Sequence, residues 1–405
     1  MRFDLKILLI FFLLSISNIS SQTLIPDPPE VNAKSYILVE AHTNEIISEQ
    51  NADLPSGLAS LTKIMTGYVV ADQIEKGFIS KEDQVLISEV CWRMEGSRMF
   101  IQEGKKVSVD DLLKGMIIQS GNDASCALAE HVAGTQGDFA VLMNEYASEL
   151  GMLDSNFVNP TGLPDVNHYS TARDLAKLSI SMINDFPEHY SLYKEKEFTF
   201  DDIRQLNRNS LLWQDDSVDG IKTGHTNDSG FCLAGSAIRG ETRFVSIVLN
   251  SASEKTRIRD TRRLLDYAFR FYQTKTIVKA YEPLTTVDVW AGIDEEVSLG
   301  LESDLKITLQ RNKFKNLELD LPSSLGVRAP ISKDQKLDEL ILLSNGERIQ
   351  SYDLVAISDV KKKSFISALW DNLIFSIYSF FMQDCLLYTS PSPRDQAKSR
   401  MPSSA

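Results

Sequence analysis

Three short motifs bring together the side chains that acyl transfer through a serine requires. They are Ser60-Leu61-Thr62-Lys63, Ser120-Gly121-Asn122 and Lys222-Thr223-Gly224. The patterns SxN and KTG each occur once, whereas SxxK also begins at Ser191, Ser303 and Ser358. Only Ser60 stands at the head of a strongly amphipathic helix, and this context selects it as the candidate nucleophile.

The spacing of Ser60 and Lys63 predicts a nucleophile and its base. Residues at i and i+3 lie on the same face of a helix, one turn apart. A serine hydroxyl is a poor nucleophile unless a neighbouring base removes its proton. A lysine can be that base if burial or a nearby cation lowers its pKa, and Lys222 is the candidate for the second cation. The helix N-terminus also directs backbone N–H groups toward Ser60, which favours an oxyanion there.

The other two motifs carry groups for proton transfer and substrate binding. The Ser120 hydroxyl can relay a proton toward a leaving amine, and the Asn122 amide can hold a peptide carbonyl or N–H. Lys222 and Thr223 suit a carboxylate, through one point charge and one hydrogen bond. Gly224 has no side chain, which leaves room for a substrate backbone to lie beside a strand.

The composition and the absence of several common motifs exclude several classes of protein. The 405 residues are 43 % hydrophobic and carry a formal net charge of −14, which predicts a globular protein of two or three units and disfavours nucleic acid as a partner. No GxSxG, HExxH, GxGxxG or Walker pattern occurs. Cys91, Cys126 and Cys232 have no zinc spacing and are expected to be small buried thiols.

The periodicity of apolar residues predicts an α+β domain over residues 30–273 and a small all-β domain over residues 274–358. In the first domain we expect helices around an antiparallel sheet. The predicted helices span 60–76, 108–118, 123–133, 138–150, 171–183 and 255–272, and the predicted strands lie at 36–40, 45–48, 231–238 and 243–249. In the second domain, alternation at period two predicts strands at 285–290, 305–309 and 317–321.

The two ends of the chain differ from the rest. Residues 1–21 are expected to be a signal peptide, because Arg2 and Lys6 precede an apolar run about half as long as the ~20 residues of a spanning helix; a retained N-terminal anchor is the alternative. The apolar periodicity of residues 361–383 predicts an amphipathic helix that lies in a membrane interface. The alternative is a helix packed on the preceding domain. Residues 384–405 show no periodicity and are expected to be a non-native tail.

The motifs and their surroundings resemble the serine D-alanyl-D-alanine carboxypeptidases, the low-molecular-mass penicillin-binding proteins. The similar stretches are 34–49, 52–70, 119–134, 159–175 and 207–226. The β domain and the C-terminal amphipathic helix also match that family's layout, so the resemblance covers residues 30–383. It implies a β-lactamase or transpeptidase-like first domain.

The resemblance also implies a role for each motif. Ser60 would be the acylated nucleophile, Lys63 its general base, and Ser120 and Asn122 the second motif. The substrate's terminal carboxylate would be held by Lys222 and Thr223, beside Gly224.

Further residues follow from the same resemblance. Backbone N–H groups of Ser60 and His225 would form the oxyanion hole. Arg208 and Arg257 align with family arginines near the carboxylate pocket, and a surface ion pair is the alternative for each. The remaining histidines have no matching role and are expected to be structural or exposed: His42, His131, His168 and His189.

The function implied is removal of the terminal D-alanine from peptidoglycan pentapeptides through a Ser60 acyl-enzyme, without a metal or organic cofactor. β-Lactam antibiotics would acylate Ser60 and leave slowly, because the nearest match to a deacylating ExxLN motif, residues 203–207, begins with Ile203 instead of glutamate. The resemblance further implies an exported enzyme held on the periplasmic face of the inner membrane by residues 361–383. Two alternatives stay open: an endopeptidase or β-lactamase on the same fold, and a non-catalytic scaffold that binds wall peptide.

Overall fold

A computed structural model describes residues 25–321 and 326–364, which form two compact units. The first unit runs to Thr274 and includes Thr308–Asn312, and the second comprises Lys275–Ile307 and the chain from Lys313. The expected signal peptide, residues 365–383 of the expected C-terminal helix and the expected tail lie outside the described residues. The predicted start of that helix at residue 361 is wrong, because residues 361–363 are extended and pair with the backbone of the second unit. The Ile293 N–H donates to the Lys361 carbonyl and the Lys363 N–H donates to the Ala291 carbonyl, each at 2.8 Å. Within 25–321 and 326–364, no helix combines the length and the apolar character needed to cross a membrane.

The first unit combines helices with an antiparallel sheet, as the sequence predicts. Its described strands are β1 (Ser35–Glu40), β2 (Ile46–Gln50), β3 (Ser56–Gly57), β4 (Gln84–Leu86), β5 (Lys106–Ser108), β6 (Tyr169–Ser170), β7 (Glu197–Phe200), β8 (Ile203–Leu206), β9 (Val218–Thr226), β10 (Gly230–Arg239) and β11 (Thr242–Ser251). Its described α-helices are α1 (Thr62–Glu75), α2 (Glu89–Trp92), α3 (Val109–Lys114), α4 (Asn122–Ala133), α5 (Gln136–Glu149), α6 (Ala172–Asp185), α7 (Pro187–Tyr190) and α8 (Glu254–Phe271). A π-helical turn, Gly115–Gln119, continues α3.

Five of the described strands form the central sheet, in the order β2-β1-β11-β10-β9. All neighbours in it are antiparallel, and the β10–β11 hairpin turns where the sequence predicts, with Arg239 opposite Thr242. In the described sheet β9 is therefore an edge strand. The Lys222-Thr223-Gly224 motif lies on this strand, opposite Ala234, Leu233 and Cys232 of β10.

The side chains of β1 show why helices cover both faces of this sheet. All six residues of the strand are buried. Successive side chains of a strand point to opposite faces. Accordingly, Ile37 and Val39 join the core cluster that includes α1 and α6, whereas Tyr36 and Leu38 join the cluster that includes α8. Side-chain caps fix several helix starts, among them the predicted one, where Ser108 Oγ accepts from the Asp111 backbone N–H at 3.1 Å.

The second unit is built from strands, as the alternation at period two predicts. The described strands that lie wholly or partly in it are β12 (Tyr272–Val278), β13 (Thr285–Trp290), β14 (Glu296–Gly300), β15 (Leu305–Gln310), β16 (Leu317–Asp320), β17 (Val327–Arg328), β18 (Lys336–Ser344) and β19 (Glu347–Ala356). Six of them form a sheet in the order β16-β18-β19-β14-β13-β17.

The prediction of a thiol at Cys91 and at Cys126 is wrong, because the two residues form a disulfide. Cys91 lies on α2 and Cys126 on α4, and packing of these helices brings the Cα atoms of the pair to 5.3 Å. The two cysteines are 35 positions apart in the sequence, so no local pattern indicates that they lie together. Cys232 is a buried free thiol, as predicted.

Candidate active site

Ser60 lies in a short 3-10 helix, Ala59–Leu61, that leads directly into α1. Ala59 has a positive φ of 46°, a conformation that is costly for a residue with a Cβ. The loop before α6 supports this turn from the other side. A Cβ atom on Gly162 would overlap the carbonyl oxygen of Ala59, so only glycine fits where the loop crosses the turn. Ser60 is thus positioned by a tight turn packed against a glycine.

A chain of hydrogen bonds through His168 and Thr62 also supports the turn that carries Ser60. The Val158 backbone N–H donates to His168 Nδ1 at 3.1 Å, so the ring proton is on Nε2. That nitrogen lies 2.7 Å from Thr62 Oγ1, and the Thr62 hydroxyl donates to the Ala59 carbonyl at 2.8 Å. Burial lowers the pKa of His168 to about 4, which keeps the imidazole neutral. His168 is therefore structural, as the sequence analysis expects.

Lys63 is almost completely buried, with 1 % of its surface exposed, and its amine has three partners. Nζ lies 3.1 Å from Ser60 Oγ, 2.7 Å from Asn122 Oδ1 and 2.6 Å from the Thr161 carbonyl oxygen. Burial lowers the pKa of Lys63 to about 7, with the Arg208 cation adding to the effect and the Asp123 carboxylate opposing it. A substantial fraction of the Lys63 side chains is therefore neutral at neutral pH.

The second motif lies where the π-helical turn meets α4. Ser120 adopts the left-handed conformation, with φ 67°, and ends the turn; Asn122 begins α4. Besides accepting from Lys63, the Asn122 amide donates to the Glu95 carbonyl at 2.6 Å, and its backbone N–H donates to the Ser97 carbonyl at 2.6 Å. The segment after α2 thus fixes the amide that faces Lys63.

Asp123 holds the continuation of that segment against α4. Its carboxylate accepts backbone N–H groups of Met99, Phe100 and Ile101 at 3.0, 3.0 and 3.3 Å. Burial nevertheless raises its pKa, against the effect of these hydrogen bonds. The sequence analysis assigns no role to Asp123, although a carboxylate in the first turn of a helix beside a motif is a usable signal.

The third motif lies along β9, close to the turn that carries Ser60. A Cβ atom on Gly224 would lie 3.1 Å from the Leu58 carbonyl oxygen and 3.2 Å from the Ser60 backbone nitrogen, so the strand passes very near Ser60. Lys222 is buried, and its pKa lies well below the usual value because of burial and the cations Lys63, Arg208 and Arg257. His225 is exposed and stacks on Phe231, with ring centroids 4.0 Å apart.

The two arginines occupy different positions. Arg208 is exposed, its Nε donates to the Gln119 carbonyl at 3.0 Å, and its charge lowers the pKa of both Lys63 and Lys222. Arg257 is buried on α8, and its Nη1 donates to the Gly224 carbonyl at 2.9 Å. Its position on the strand backbone makes it a support of β9, and its assignment to a carboxylate pocket stays a prediction.

The residues assembled here suit acyl transfer more than metal chemistry. Among the described residues, Cys91, Cys126 and Glu130 are the histidine, cysteine or acidic side chains grouped closely enough to hold a metal ion, and the disulfide removes both thiolates from that set. In contrast, a hydroxyl, an amine with a lowered pKa and a neighbouring amide meet around Ser60. The Thr161 carbonyl is the partner of Lys63 that no sequence pattern could reveal, because a backbone carbonyl has no residue signature.

Comparison with known proteins agrees with this geometry. The sequence profile described as "D-alanyl-D-alanine carboxypeptidase" matches residues 22–253, and that of "Penicillin-binding protein 5, C-terminal domain" matches residues 272–362. D-alanyl-D-alanine carboxypeptidase DacA of Escherichia coli is 37 % identical over 372 residues, which are 90 % of this chain and 92 % of that protein.

Solved structures give the same result. Penicillin-binding protein 5 from Haemophilus influenzae is 36 % identical, with a TM-score of 0.77 over 83 % of this chain and 100 % of that one. Penicillin-binding protein D2 from Listeria monocytogenes, in its ampicillin-bound form, is 31 % identical, with a TM-score of 0.56 over 60 % of this chain and 100 % of that one. The chain therefore belongs to the D-alanyl-D-alanine carboxypeptidase family of penicillin-binding proteins.

Proposed function

We propose that this protein is a serine carboxypeptidase that removes the terminal D-alanine from peptidoglycan stem peptides ending in D-Ala-D-Ala. The observation that carries the proposal is the geometry at Lys63. A neutral amine has two N–H donors and one lone pair, and Nζ has three neighbours. Two of them, Asn122 Oδ1 and the Thr161 carbonyl, can only accept, so the lone pair is directed to Ser60 Oγ, 3.1 Å away.

Acylation follows from this arrangement. Lys63 takes the hydroxyl proton of Ser60 while Oγ forms a bond to the carbonyl carbon of the penultimate D-alanine. The negative charge that develops on the carbonyl oxygen is stabilised by the backbone N–H groups of Ser60 and His225. The carbon–nitrogen bond then breaks, and D-alanine leaves as the amine after the Lys63 proton reaches its nitrogen through the Ser120 hydroxyl.

In deacylation, water is the nucleophile and Ser60 Oγ is the leaving group. A water molecule gives one proton to Lys63 and adds to the ester carbonyl. The carbon–oxygen bond to Ser60 breaks, and Oγ regains the proton, which leaves a peptide shorter by one D-alanine. β-Lactams would acylate the same oxygen and leave slowly. The nearest match to an ExxLN motif, residues 203–207, has Ile203 on β8 in place of the glutamate, and a hydrocarbon side chain cannot activate water.

Intact-protein mass spectrometry after exposure to benzylpenicillin tests the nucleophile, with Ser60→Ala as the matched control. We expect a persistent adduct of one drug molecule on the parent protein and none on the variant. D-alanine release from a synthetic pentapeptide then tests the reaction itself. A folded parent protein that forms no adduct and releases no D-alanine would favour a scaffold that binds wall peptide. Steady consumption of penicillin without an adduct would indicate a β-lactamase.

We also propose that the enzyme is exported and held on the periplasmic face of the inner membrane by residues 361–383. The support is the sequence pattern, in which three lysines precede an amphipathic stretch. Flotation with liposomes that contain anionic lipid, with and without residues 361–383, tests the anchor. Equal binding of both forms would reject it.

A further inference from the structure

The sulfur atoms of Cys91 and Cys126 and a carboxylate oxygen of Glu130 form a cluster that the acyl-transfer mechanism does not use. One ligand atom from each residue lies within 4.8 Å of the other two. Cys91 lies on α2, whereas Cys126 and Glu130 lie one turn apart on α4. Because the two cysteines come from different helices, their spacing in the sequence does not resemble a zinc motif.

The Glu130 carboxylate is suitably placed to act as a metal ligand beside Cys126. Its Oε1 atom lies 3.8 Å from Cys126 Sγ. A tetrahedral zinc ion, with a Zn–S bond of about 2.3 Å and a Zn–O bond of about 2.1 Å, holds its sulfur and oxygen ligands about 3.6 Å apart. The Glu130 side chain is half-exposed, and within the described residues its carboxylate forms no ion pair. The separation of this oxygen from Cys126 Sγ therefore already fits a shared zinc ion.

The oxidation state of the two cysteines decides whether the cluster can bind a metal. In the disulfide the sulfurs are bonded to each other, and neither is a thiolate. An external dithiol would reduce the bond to two thiols and become a disulfide itself, so that two electrons and two protons pass to the protein. A zinc ion then displaces both thiol protons. With the Cα atoms 5.3 Å apart, rotation of the side chains can separate the sulfurs to the ~3.8 Å that two thiolates on one zinc ion require.

The short helix α2 gives a reductant access to the bond. Both sulfurs belong to buried side chains, but Cys91 is the single buried residue of this four-residue helix. Its neighbours Val90 and Trp92 are 58 % and 40 % exposed. A segment with so little buried surface opens locally at a lower free-energy cost than the core. A reductant can therefore reach the disulfide when α2 opens, and a metal ion can enter beside the half-exposed Glu130.

We propose that reduction of the Cys91–Cys126 disulfide converts this cluster into a zinc site. The ligands are Cys91 Sγ, Cys126 Sγ and Glu130 Oε1, with a water molecule in the fourth position. Thiolates select zinc over magnesium and calcium, which take oxygen ligands. The bound ion links α2 to α4 in place of the disulfide. This role is structural and goes beyond the proposed carboxypeptidase function.

Metal titration of the reduced full-chain protein tests the site. The protein is reduced with a phosphine, which is then removed without oxygen. Cadmium reports thiolate ligands through an ultraviolet charge-transfer band, and zinc competes with it. We expect one equivalent on the reduced protein and none on the oxidised protein or on Cys91→Ser/Cys126→Ser. Cys232→Ser, which removes the buried free thiol, should keep the band. Glu130→Gln should weaken zinc binding by about tenfold or more, whereas Glu145→Gln, an exposed acid on α5, should not.

Urea unfolding gives an independent measurement. Zinc should raise the midpoint of the reduced protein toward that of the oxidised one, because the ion binds the folded state. A reduced protein that unfolds without zinc and refolds with one equivalent would support the site equally. Absence of the cadmium band, an unchanged zinc affinity in Glu130→Gln, or loss of the band in Cys232→Ser would overturn it. These measurements do not involve catalysis, so failure of the proposed function is detected separately, by D-alanine release.

Discussion

Asn122 Oδ1 accepts a hydrogen bond from Lys63 Nζ at 2.7 Å, although 59 positions separate the two residues in the chain. The same amide donates to the Glu95 carbonyl. The orientation of the Asn122 side chain is thereby fixed, with its oxygen toward the lysine. A fixed acceptor on one side of the amine directs the lone pair of the neutral lysine toward Ser60.

Replacing Asn122 with alanine should slow acylation of Ser60 by benzylpenicillin by about 100-fold, the usual size of a lost positioning or polar catalytic group. Without the amide, Lys63 loses one of two acceptors that direct its lone pair, and the Glu95 carbonyl loses its donor. The acylation rate, followed by intact-protein mass spectrometry, is the measurement.

Asn144 offers the matched control for this substitution. Its amide also makes hydrogen bonds through both ends, but its partners are backbone groups of Phe157: Nδ2 donates to the Phe157 carbonyl at 2.7 Å and Oδ1 accepts the Phe157 N–H at 2.8 Å. Asn144→Ala should therefore lower thermal stability without a comparable loss of acylation. Similar loss of acylation in both variants would reduce the role of Asn122 to folding.

The rate of acylation should rise with pH through a midpoint at about 7, the pKa of Lys63. In the proposed mechanism the neutral amine is the base, and its fraction increases as pH rises through the pKa, so the rate should fall about tenfold per pH unit well below the pKa. Since the Arg208 cation lowers this pKa, Arg208→Gln should move the midpoint to higher pH. A pH profile of penicillin acylation for both proteins checks the direction, and an unchanged or lowered midpoint in the variant would contradict it.

Local sequence patterns predict the fold well where a single signal dominates. The predicted helix start at Ser108 is confirmed because a cap is a local interaction, and the strand 285–290 coincides with β13 because alternation at period two extends over its whole length. The hairpin β7–β8 is not predicted from the sequence, because each strand has only four residues and seven of the eight are exposed or half-exposed.

The same distinction between local patterns and distant packing applies to the candidate site. Motif residues such as Ser60 and Lys63 are recognisable by type and spacing, and the structure brings them together. The groups that orient them were not predictable, because the Thr161 and Glu95 contributions are backbone carbonyls. Their positions depend on how distant segments pack, which no local pattern encodes.

Gly162→Ala should nearly abolish acylation of Ser60. The residue has φ 85°, and a Cβ there would overlap the Ala59 carbonyl oxygen, so the turn before the nucleophile must move. Gly134→Ala separates the two causes, because Gly134 has a similar φ of 81° with no atom within 4 Å of its Cβ position. That control should cost about 1 kcal/mol of stability from the backbone alone and keep its acylation rate. Thermal unfolding and penicillin acylation, measured on both variants, distinguish strain from displacement, and normal acylation in Gly162→Ala would reject the steric argument.

Loss of the Cys91–Cys126 disulfide should destabilise the first unit by about 4 kcal/mol, the entropy of closing a loop of this length in the unfolded chain. Urea unfolding of Cys91→Ser/Cys126→Ser against the parent protein measures the difference. Dithiothreitol provides an internal control, because it should lower the midpoint of the parent protein and leave that of the double variant unchanged. Equal midpoints in all four conditions would show that the bond does not form.

The same variant should also affect catalysis, because the bond joins α2 to α4 on either side of the segment that holds Asn122. The Glu95 and Ser97 carbonyls, which fix the Asn122 amide and backbone, follow α2 directly. Without the bond this segment is free to separate from α4 more often, so the acceptor for Lys63 is less well fixed and acylation should slow several-fold under conditions where the protein is folded. If the double variant is less stable but acylates at the parent rate, the hydrogen bonds of Asp123 to residues 99–101 alone are enough to hold the segment in place.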